Sequence, residues 1–335
     1  MPAEWEAQQA IILSWPHNKE TWPSQLDGVI LTYLKIIKEI AEHQQVWLNV
    51  NSEQIKIEVQ RLLTLYCIKQ SNVHLLVIPT YDVWARDYGP VYIVQDSNRI
   101  ITDWEFNSWG GKYSPQYFLD SDVPQLIALH MEEKLIQTDF ILEGGSIDVN
   151  GSGTLITTKS CLLNPNRHSV VNSNTIEEKL KCYLGIKKVL WLDAALVGDD
   201  TDGHIDNLVR FVDTSTVVCV QEKNSKDENY ESLRQLFLDL KSMTDQDGIP
   251  LKVIPLQMPK KVMFDGDRLP ASYGNFLITN RKVLVPTYQS PKEDRDAICV
   301  LQSLFPERQV VGIDCVDLVY GLGSIHCISQ QVPLV

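Results

Sequence analysis

The fold of this chain is decided by a repeated pattern whose most complete copy begins with Phe276-Leu-Ile-Thr279 and Val283-Leu-Val-Pro286. Both runs are short, apolar and rich in β-branched residues, so together they predict a hairpin of two strands. An amphipathic stretch over about 292–305 follows at helical spacing, and Gln309-Val-Val-Gly-Ile313 then reads as a further strand. The unit is therefore strand, strand, helix, strand, which predicts an α/β fold.

Parts of the same unit recur along the whole chain. Helices are predicted at about 26–44, 52–66, 122–135, 174–184 and 228–243, and strands at 11–15, 46–50, 74–79, 188–192 and 251–255. A second hairpin is predicted from Pro90-Val-Tyr-Ile-Val94 and Ile100-Ile-Thr-Asp103, and the helix at about 122–135 leads to the loop that carries Glu143.

Polar loops punctuate these units at nearly regular intervals. They are Trp15-Pro-His17, Asp87, Glu143, His204, Ser272-Tyr273 and Cys327, roughly 55–70 residues apart. Such spacing predicts internal repeats, with five intervals along the chain and with the N- and C-terminal segments sharing one unit. Because no linker or low-complexity segment divides the sequence, we expect one domain over residues 1–335.

Composition and charge restrict the kinds of partner. The 335 residues are 44 % hydrophobic and 22 % charged, which is ordinary for a globular protein. The formal net charge of −13 argues against nucleic acid and suits a small cationic ligand. No window reaches the roughly 18 apolar residues of a membrane span, and no signal peptide is visible, so we expect a cytoplasmic protein without a membrane partner. The oligomeric state stays open, and a homo-oligomer is one alternative.

The seven cysteines, at positions 67, 161, 182, 219, 299, 315 and 327, form no CxxC pair. A disulfide framework or a zinc knuckle is therefore not expected. Cys327 differs from the others because it ends the glycine-flanked loop Gly321-Leu-Gly-Ser-Ile-His-Cys327, where a thiol can reach a ligand. We interpret it as a candidate nucleophile, against the alternative that it is a small buried hydrophobe.

Three upstream segments supply polar partners for such a thiol. They are Trp84-Ala-Arg-Asp87, Glu143-Gly-Gly-Ser146 and Gly203-His-Ile-Asp206. Each has a structural alternative: the first as a turn with an internal Arg–Asp pair, the second as a glycine turn with a solvated carboxylate. On a strand, His204 and Asp206 would share a face.

Metal sites are the other alternative for these segments. The acidic run Asp199–Asp206 resembles a calcium loop, but aligning Gly203 with the glycine of an EF-hand puts Val209 where a bidentate Glu is required. A zinc site formed by His204, Asp206 and Cys327 is another alternative, but the sequence shows no recurring spacing of the kind that zinc ligands have. We therefore expect neither a metal nor an organic cofactor.

Five motifs in order make the chain resemble the agmatine deiminases, of the guanidine-modifying superfamily that also holds arginine and peptidylarginine deiminases. They are Trp84-x-Arg-Asp-x-Gly-Pro90, Asp103-Trp-x-Phe-Asn-x-Trp-Gly-Gly111, Glu143-Gly-Gly-Ser146, Gly198-Asp-Asp-Thr-x-Gly-His-x-Asp-Asn207 and Ile325-His-Cys-Ile-x-Gln-Gln331. The resemblance covers essentially the whole chain. It implies a five-bladed, pseudo-symmetric α/β-propeller, the pentein fold of ββαβ units. It also implies a role in putrescine and polyamine biosynthesis.

The resemblance also implies roles for individual residues. Cys327 matches the nucleophile, which would form a covalent S-alkylthiouronium, and His204 matches the acid/base residue. Asp87 and Asp206 match the aspartates that bind the guanidinium, a pairing that charge-assisted hydrogen bonds favour. Glu143 matches a residue that orients His204 and binds a guanidinium N–H.

The remaining residues of the motifs concern the far end of the substrate. We expect Trp84, Trp109 and Tyr273 to line the mouth and to accept an ammonium through cation–π contact. Arg86 on a strand would point away from Asp87, which leaves Lys112 as the one motif-borne candidate for binding a carboxylate. The loop Gly321-Leu-Gly-Ser departs from the three glycines and asparagine usual in the family, and Tyr88 replaces a smaller residue.

These inferences predict an agmatine iminohydrolase, a hydrolase acting on linear amidines that yields N-carbamoylputrescine and ammonia. One alternative is a deiminase of another guanidine, either free arginine or an arginine side chain. Another is a catalytically silent protein of the same fold that binds cationic ligands through an acidic mouth. His326 beside Cys327 is expected to be structural, since adjacent residues on an extended segment face opposite ways.

Overall fold

The computed structural model describes residues 1–113 and 117–335. In chain order its strands are β1 (Gln8–Ser14), β2 (Gln45–Val50), β3 (Val73–Val77), β4 (Val91–Gln95), β5 (Asn98–Glu105), β6 (Lys134–Ile141), β7 (Ile147–Val149), β8 (Thr154–Thr158), β9 (Lys188–Leu192), β10 (Val209–Phe211), β11 (Thr216–Gln221), β12 (Lys252–Gln257), β13 (Met263–Phe264), β14 (Asp267–Arg268), β15 (Leu277–Ile278), β16 (Lys282–Thr287), β17 (Gln309–Asp314) and β18 (Ser329–Pro333). The longer helices are Leu26–Ala41, Glu53–Leu65, Val123–Met131, Ser173–Leu184, Tyr230–Lys241 and Pro291–Leu304. Short helical turns span Ala85–Tyr88, Ser108–Gly111, Phe118–Ser121, Lys159–Leu162 and Val316–Val319.

Four sheets share one topology. Their strand orders are β4-β5-β6, β7-β8-β9, β10-β11-β12 and β15-β16-β17. In each sheet the first two strands pair antiparallel and the third pairs parallel to the second, after a crossover through one long helix. This is the predicted strand, strand, helix, strand unit, and the predicted α/β class is confirmed.

A fifth sheet joins the two ends of the chain. Its order is β18-β1-β2-β3, with β18 antiparallel to β1 and with β2 parallel to both β1 and β3. The N- and C-terminal segments therefore share a unit, as the spacing of the polar loops predicted. This unit differs from the others because a second helix and strand extend it.

Local sequence signals explain the helix boundaries. Ser52, Thr158 and Asn172 cap the helices that follow them by accepting a hydrogen bond from the backbone of the third residue on. Gly185 ends the helix Ser173–Leu184 in a left-handed conformation, at φ 70°. The apolar faces of the helices pack on the sheets, and the largest buried cluster contains β1, β2, β16 and the helix Leu26–Ala41.

Several predicted elements need correction. Residues 134–135 belong to β6, an additional strand that the sequence pattern missed, and not to the preceding helix. Arg86 and Asp87 lie on the helical turn Ala85–Tyr88, and Asp206 lies on a 3₁₀ turn over Ile205–Asn207, so none of them is on a strand. No helix within residues 1–113 and 117–335 has the length and apolarity to cross a membrane.

Candidate active site

The candidate site is built from loops that precede the first strand of a unit. Asp87 lies just before β4, Glu143 before β7, Asp206 before β10, Asn275 before β15 and Cys327 before β18. Because each of these loops leads into the first strand of a strand, strand, helix, strand unit, these positions are equivalent, which explains the regular spacing of the polar loops. Trp15–His17 does not belong to this series, since it follows β1.

Asp87 is held by two donors from different loops. The backbone N–H of Gly145 donates to Oδ1 at 3.1 Å, and the indole N–H of Trp109 donates to Oδ2 at 3.0 Å. A Cβ at Gly145 would lie 2.6 Å from His204 Nδ1 and 2.7 Å from Asp87 Oδ1, so only glycine allows this approach. Burial, together with the charges of Asp206 and Glu143, raises the pKa of Asp87 to about 7, although His204 opposes the shift.

His204 lies between two carboxylates. Its Nδ1 is 3.6 Å from Asp87 Oδ1, and its Nε2 is 3.9 Å from Glu143 Oε2. The side chain is only 1 % exposed, and burial opposes its charging. Asp87, Cys161 and Glu143 outweigh that effect and raise the pKa of His204 well above its usual value, so the imidazolium is the favoured form.

Glu143 is fixed by an arginine that the sequence did not reveal. Arg167 Nε donates to Glu143 Oε1 at 2.7 Å, and the same guanidinium pairs with Asp202 and donates to the carbonyl of Thr201 at 3.0 Å. Glu143 and Arg167 are both buried. Although burial acts in the opposite direction, His204 and Arg167 lower the pKa of Glu143, which keeps it ionised.

Asp206 is held in position by His326. His326 Nδ1 lies 2.8 Å from Asp206 Oδ2, and its Nε2 lies 2.9 Å from Glu4 Oε2. Glu4 in turn pairs with Arg210 at 2.5 Å. Asp206 Oδ1 has no hydrogen-bond partner within the described ranges, although it is buried. This oxygen has unused acceptor capacity, although Asp206 is 0 % exposed and is not among the residues that line the pocket leading to Cys327. The contacts of His326 with two buried carboxylates are in keeping with the structural role predicted for it.

Cys327 is 7 % exposed, and its sulfur accepts a hydrogen bond from Asn275 Nδ2 at 3.0 Å. Its backbone carbonyl accepts from the N–H of Arg86 at 3.1 Å, which ties the thiol to the segment of Asp87. A Cβ at Gly323 would lie 2.2 Å from the ring of Trp84, so glycine is required where this loop crosses the indole. Burial, together with Asp206 and Asp87, raises the pKa of Cys327 well above its usual value.

A pocket of ≈ 260 Å³ leads to this thiol. Its walls include Cys327 and Asp87, and also Trp84, Trp109, Tyr81, Tyr113, Tyr117 and Tyr320. The acidic side chains on the wall are Glu20, Asp82, Asp87, Asp120 and Asp200. Within the described part of the chain no lysine or arginine lines the pocket, so it is suited to a cation with an apolar stem.

Three of the sequence predictions need correction here. Tyr273 is 0 % exposed and donates to Asp294 at 2.6 Å, so it packs in the core and does not line the pocket. Lys112 does not line the pocket either, because its ammonium pairs with Asp202 at 2.8 Å. His204 and Asp206 do not share a strand face, yet the 3₁₀ turn still places both beside the same cluster of carboxylates.

Arg167, Asn275, Glu4 and Cys161 contact the predicted residues but were missed by sequence reasoning. Asn275 stands two residues after the predicted Tyr273, in a loop of the regular series, so the series itself could have pointed to it. Arg167 and Glu4 carry no such signal, because their partners are distant in sequence. Cys161 Sγ lies 3.8 Å from Glu143 Oε2 but does not line the pocket.

Comparison with known proteins places this geometry in a family. The model of the Porphyromonas-type peptidyl-arginine deiminases matches residues 1–333. A Legionella pneumophila protein provisionally named an agmatine deiminase is 35 % identical, covering 99 % of this chain and 95 % of its own length.

Two solved structures also match closely. Agmatine deiminase of Enterococcus faecalis superposes with a TM-score of 0.93 at 33 % identity, covering 100 % of this chain and 95 % of its own. A Cys-to-Ser variant of the C. jejuni agmatine deiminase with substrate bound superposes with a TM-score of 0.90 at 34 % identity, covering 99 % and 95 %. The chain described here therefore belongs to the Porphyromonas-type peptidyl-arginine deiminase family.

Proposed function

We propose that this protein is an agmatine deiminase that hydrolyses agmatine to N-carbamoylputrescine and ammonia. The observation that carries the proposal is the pocket itself: it ends at the thiol of Cys327, and carboxylates and aromatic rings form much of its wall. A guanidinium at one end and an ammonium at the other match such a wall. The relatives that are agmatine deiminases support the same substrate.

The first half-reaction begins with the guanidinium bound by Asp87 and by the free Oδ1 of Asp206. Neutralising these two aspartates removes the charges that raise the pKa of Cys327, so the bound cation favours the thiolate. The thiolate adds to the central carbon of the guanidinium. The imidazolium of His204 then protonates the departing nitrogen, and ammonia leaves behind a thiouronium on Cys327.

The second half-reaction returns the enzyme to its starting state. His204, now neutral, accepts a proton from water as the water adds to the thiouronium carbon. The tetrahedral adduct then expels the Cys327 thiolate and loses its remaining hydroxyl proton to solvent, which gives N-carbamoylputrescine. Glu143 holds the imidazole on its Nε2 side throughout, because Arg167 fixes the carboxylate. One agmatine, bound as its guanidinium cation, and one water thus yield one N-carbamoylputrescine, one ammonia and one proton.

The substrate tail distinguishes agmatine from other guanidines. Free arginine carries a carboxylate that would meet Glu20, Asp82, Asp120 and Asp200 with no cation on the described wall to receive it. Arg86 cannot serve, because its guanidinium donates to Gln331 at 2.7 Å on the other side of the segment. Trp84 and Trp109 line the pocket and are proposed to pack along the aliphatic stem.

The family description favours one alternative, an arginine side chain within a peptide. A peptide would bring backbone amides, and no ammonium, to the acidic part of the pocket. We expect ammonia release from agmatine to exceed that from free arginine and from a doubly blocked arginine peptide by at least roughly 10²-fold in kcat/KM, since an unpaired buried charge costs several kcal/mol. Faster ammonia release from the blocked peptide than from agmatine would show that the substrate is peptidyl-arginine and not agmatine.

We also propose that residues 1–335 form a single domain in which five blades surround a pseudo-fivefold axis. Support comes from the common strand order of the units and from the equivalent loops that supply Asp87, Glu143, Asp206, Asn275 and Cys327. The cytoplasmic location stays a prediction from the sequence.

A further inference from the structure

One buried thiol beside the proposed active site, that of Cys161, has no part in the reaction described above. Glu143, Cys161 and His204 bring one sulfur, one oxygen and one nitrogen to within 4.8 Å of one another. Cys161 Sγ lies 3.8 Å from Glu143 Oε2, and His204 Nε2 lies 3.9 Å from the same oxygen. All three side chains are buried, with Cys161 at 0 % exposure. The mechanism requires Glu143 and His204 but not this thiol.

The nitrogen that completes the group makes an ion-pair contact with Glu143 but, among the described residues, no hydrogen bond. Within the described ranges His204 Nε2 is buried and makes no hydrogen bond, because Glu143 at 3.9 Å is too far away. A buried polar atom without a hydrogen bond is costly. His204 Nε2 lies beside both the Cys161 sulfur and the Glu143 carboxylate. The three atoms therefore leave a place that a small positive group could occupy.

The donor set and its spacing fit zinc. Thiolate, imidazole and carboxylate are the ligands that Zn²⁺ uses in proteins, at about 2.0–2.3 Å, so a tetrahedral ion holds its ligand atoms about 3.3–3.6 Å apart. The separations of Glu143 Oε2 from Cys161 Sγ and from His204 Nε2, 3.8 and 3.9 Å, exceed this by a few tenths of an ångström, and all three atoms lie within 4.8 Å of one another. Small side-chain movements would bring the three atoms to metal-ligand distance.

The groups around the three donors also fit a metal site. Histidines that bind metals usually present their other nitrogen to a carboxylate, and ligating carboxylates are themselves hydrogen-bonded. Asp87 Oδ1 lies 3.6 Å from His204 Nδ1, and Arg167 Nε donates to Glu143 Oε1 at 2.7 Å. These contacts orient His204 and Glu143, and they leave His204 Nε2 and Glu143 Oε2 beside the Cys161 sulfur.

We infer that Glu143, Cys161 and His204 form a binding site for a zinc-like divalent cation, and that the bound metal inhibits the enzyme. Binding releases two protons to solvent, that of the Cys161 thiol and that on Nε2 of the His204 imidazolium, because the thiolate and the neutral imidazole are the ligands. The metal would occupy His204 Nε2 and Glu143 Oε2, so His204 could not transfer protons. The inhibition rests on the proposed function, whereas the binding does not.

A different thiol could bind the same metal, and the two cases can be separated. Cys327 Sγ lies 3.7 Å from Asp206 Oδ2, and a metal there would involve the proposed nucleophile. The test therefore compares Cys161→Ala with Cys327→Ser, each in a background where the exposed Cys67, Cys182 and Cys299 are Ser. Cys161→Ser serves as a second variant, and thermal unfolding checks that each protein is folded.

Cobalt(II) is the first probe, because a thiolate bound to it gives a sulfur-to-metal charge-transfer absorption that does not depend on activity. We expect the absorption in the background protein and in Cys327→Ser, and its loss in both Cys161 variants. Absence of the band from the background protein, or its loss in Cys327→Ser, would overturn the assignment.

Inhibition by zinc is the second readout. Cys161→Ala should keep agmatine turnover without metal, and the zinc concentration that halves activity should rise by at least roughly tenfold, since one ligand is lost. Because the site is buried, inhibition of the parent protein should develop slowly during incubation. An unchanged zinc sensitivity in Cys161→Ala would contradict the inhibitory role even if cobalt binds. If the protein turns over no guanidine, the cobalt absorption still tests whether Cys161 binds the metal.

Discussion

The sulfur of Cys327 lies 3.7 Å from Oδ2 of Asp206, and in the free protein the thiol donates to that carboxylate. The same contact explains why the thiol resists ionisation, because Asp206 follows burial among the causes that raise its pKa. A residue proposed to bind the substrate therefore also suppresses the nucleophile until the substrate arrives.

Replacing Asp206 by Asn should make Cys327 more reactive in the free protein although it abolishes turnover. Without the carboxylate charge, the pKa of the thiol falls and the thiolate fraction near neutral pH rises. The rate of iodoacetamide alkylation at Cys327, measured by peptide mass spectrometry against pH, should shift its midpoint to lower pH. Asp200→Asn, on the pocket wall but absent from the contacts of Cys327, is the control. A midpoint that stays or rises in Asp206→Asn would refute this coupling.

The pH dependence of catalysis should report Asp87. Its pKa in the free protein is raised to about 7, so below that pH the carboxyl is mostly protonated and cannot bind the guanidinium as an anion. As pH rises through about 7 the carboxylate forms, so kcat/KM should rise there. The bound cation favours the carboxylate, so the corresponding limb of kcat should lie at lower pH. A kcat/KM that is flat between pH 6 and about 8 would contradict the assignment.

Binding and rate should separate between His204 and the aspartates. His204→Ala should lower kcat by roughly 10²–10⁴-fold, the usual worth of a general acid/base, while agmatine still binds. Asp87→Asn and Asp206→Asn should weaken binding itself. Calorimetric titration with agmatine, with Cys327→Ser added to each variant to stop turnover, measures the split. Equal losses of affinity in all three would show that the roles are wrongly divided.

The ion pair of Arg167 with Glu143 should matter for stability as well as for rate. Arg167→Met would leave the Glu143 carboxylate buried without its cation, which costs about 3–5 kcal/mol in the free energy of unfolding. Adding Glu143→Gln removes the unpaired charge and should restore much of that stability without restoring activity. Urea unfolding of the two single variants and the double variant measures the coupling. If the double variant loses the sum of the stabilities lost by the two single variants, the two side chains are not coupled and the stabilising ion pair is refuted.

Much of the fold was predictable because its signals are local. The helix Ser173–Leu184 and the strand Lys188–Leu192 match their predicted bounds to within one residue, and Asn172 and Gly185 stand at the helix ends. The hairpin β7-β8 was missed although Asn150-Gly151 marks its turn, where the Asn150 side chain accepts from three backbone N–H groups.

The site residues that stand in sequence motifs could be predicted, whereas the residues that contact them from other loops could not. Asp87, Glu143, His204 and Cys327 stand in recognisable segments, and the structure brings their segments together. Arg167 could not be found in this way, because its carboxylate partners are 24 and 35 residues distant and neither spacing is periodic. Tyr273 shows the opposite error: its loop belongs to the regular series, but the hydroxyl bonds to Asp294 in the core.

The covalent intermediate tests the central claim, which is that Cys327 is the nucleophile of a guanidine deiminase. A reaction with agmatine is quenched in acid during turnover, digested and analysed by mass spectrometry. We expect an adduct with the mass of agmatine less one ammonia on the peptide that contains Cys327, and neither adduct nor turnover in Cys327→Ser. An adduct on Cys161 or Cys315, or continued turnover in Cys327→Ser, would contradict the claim.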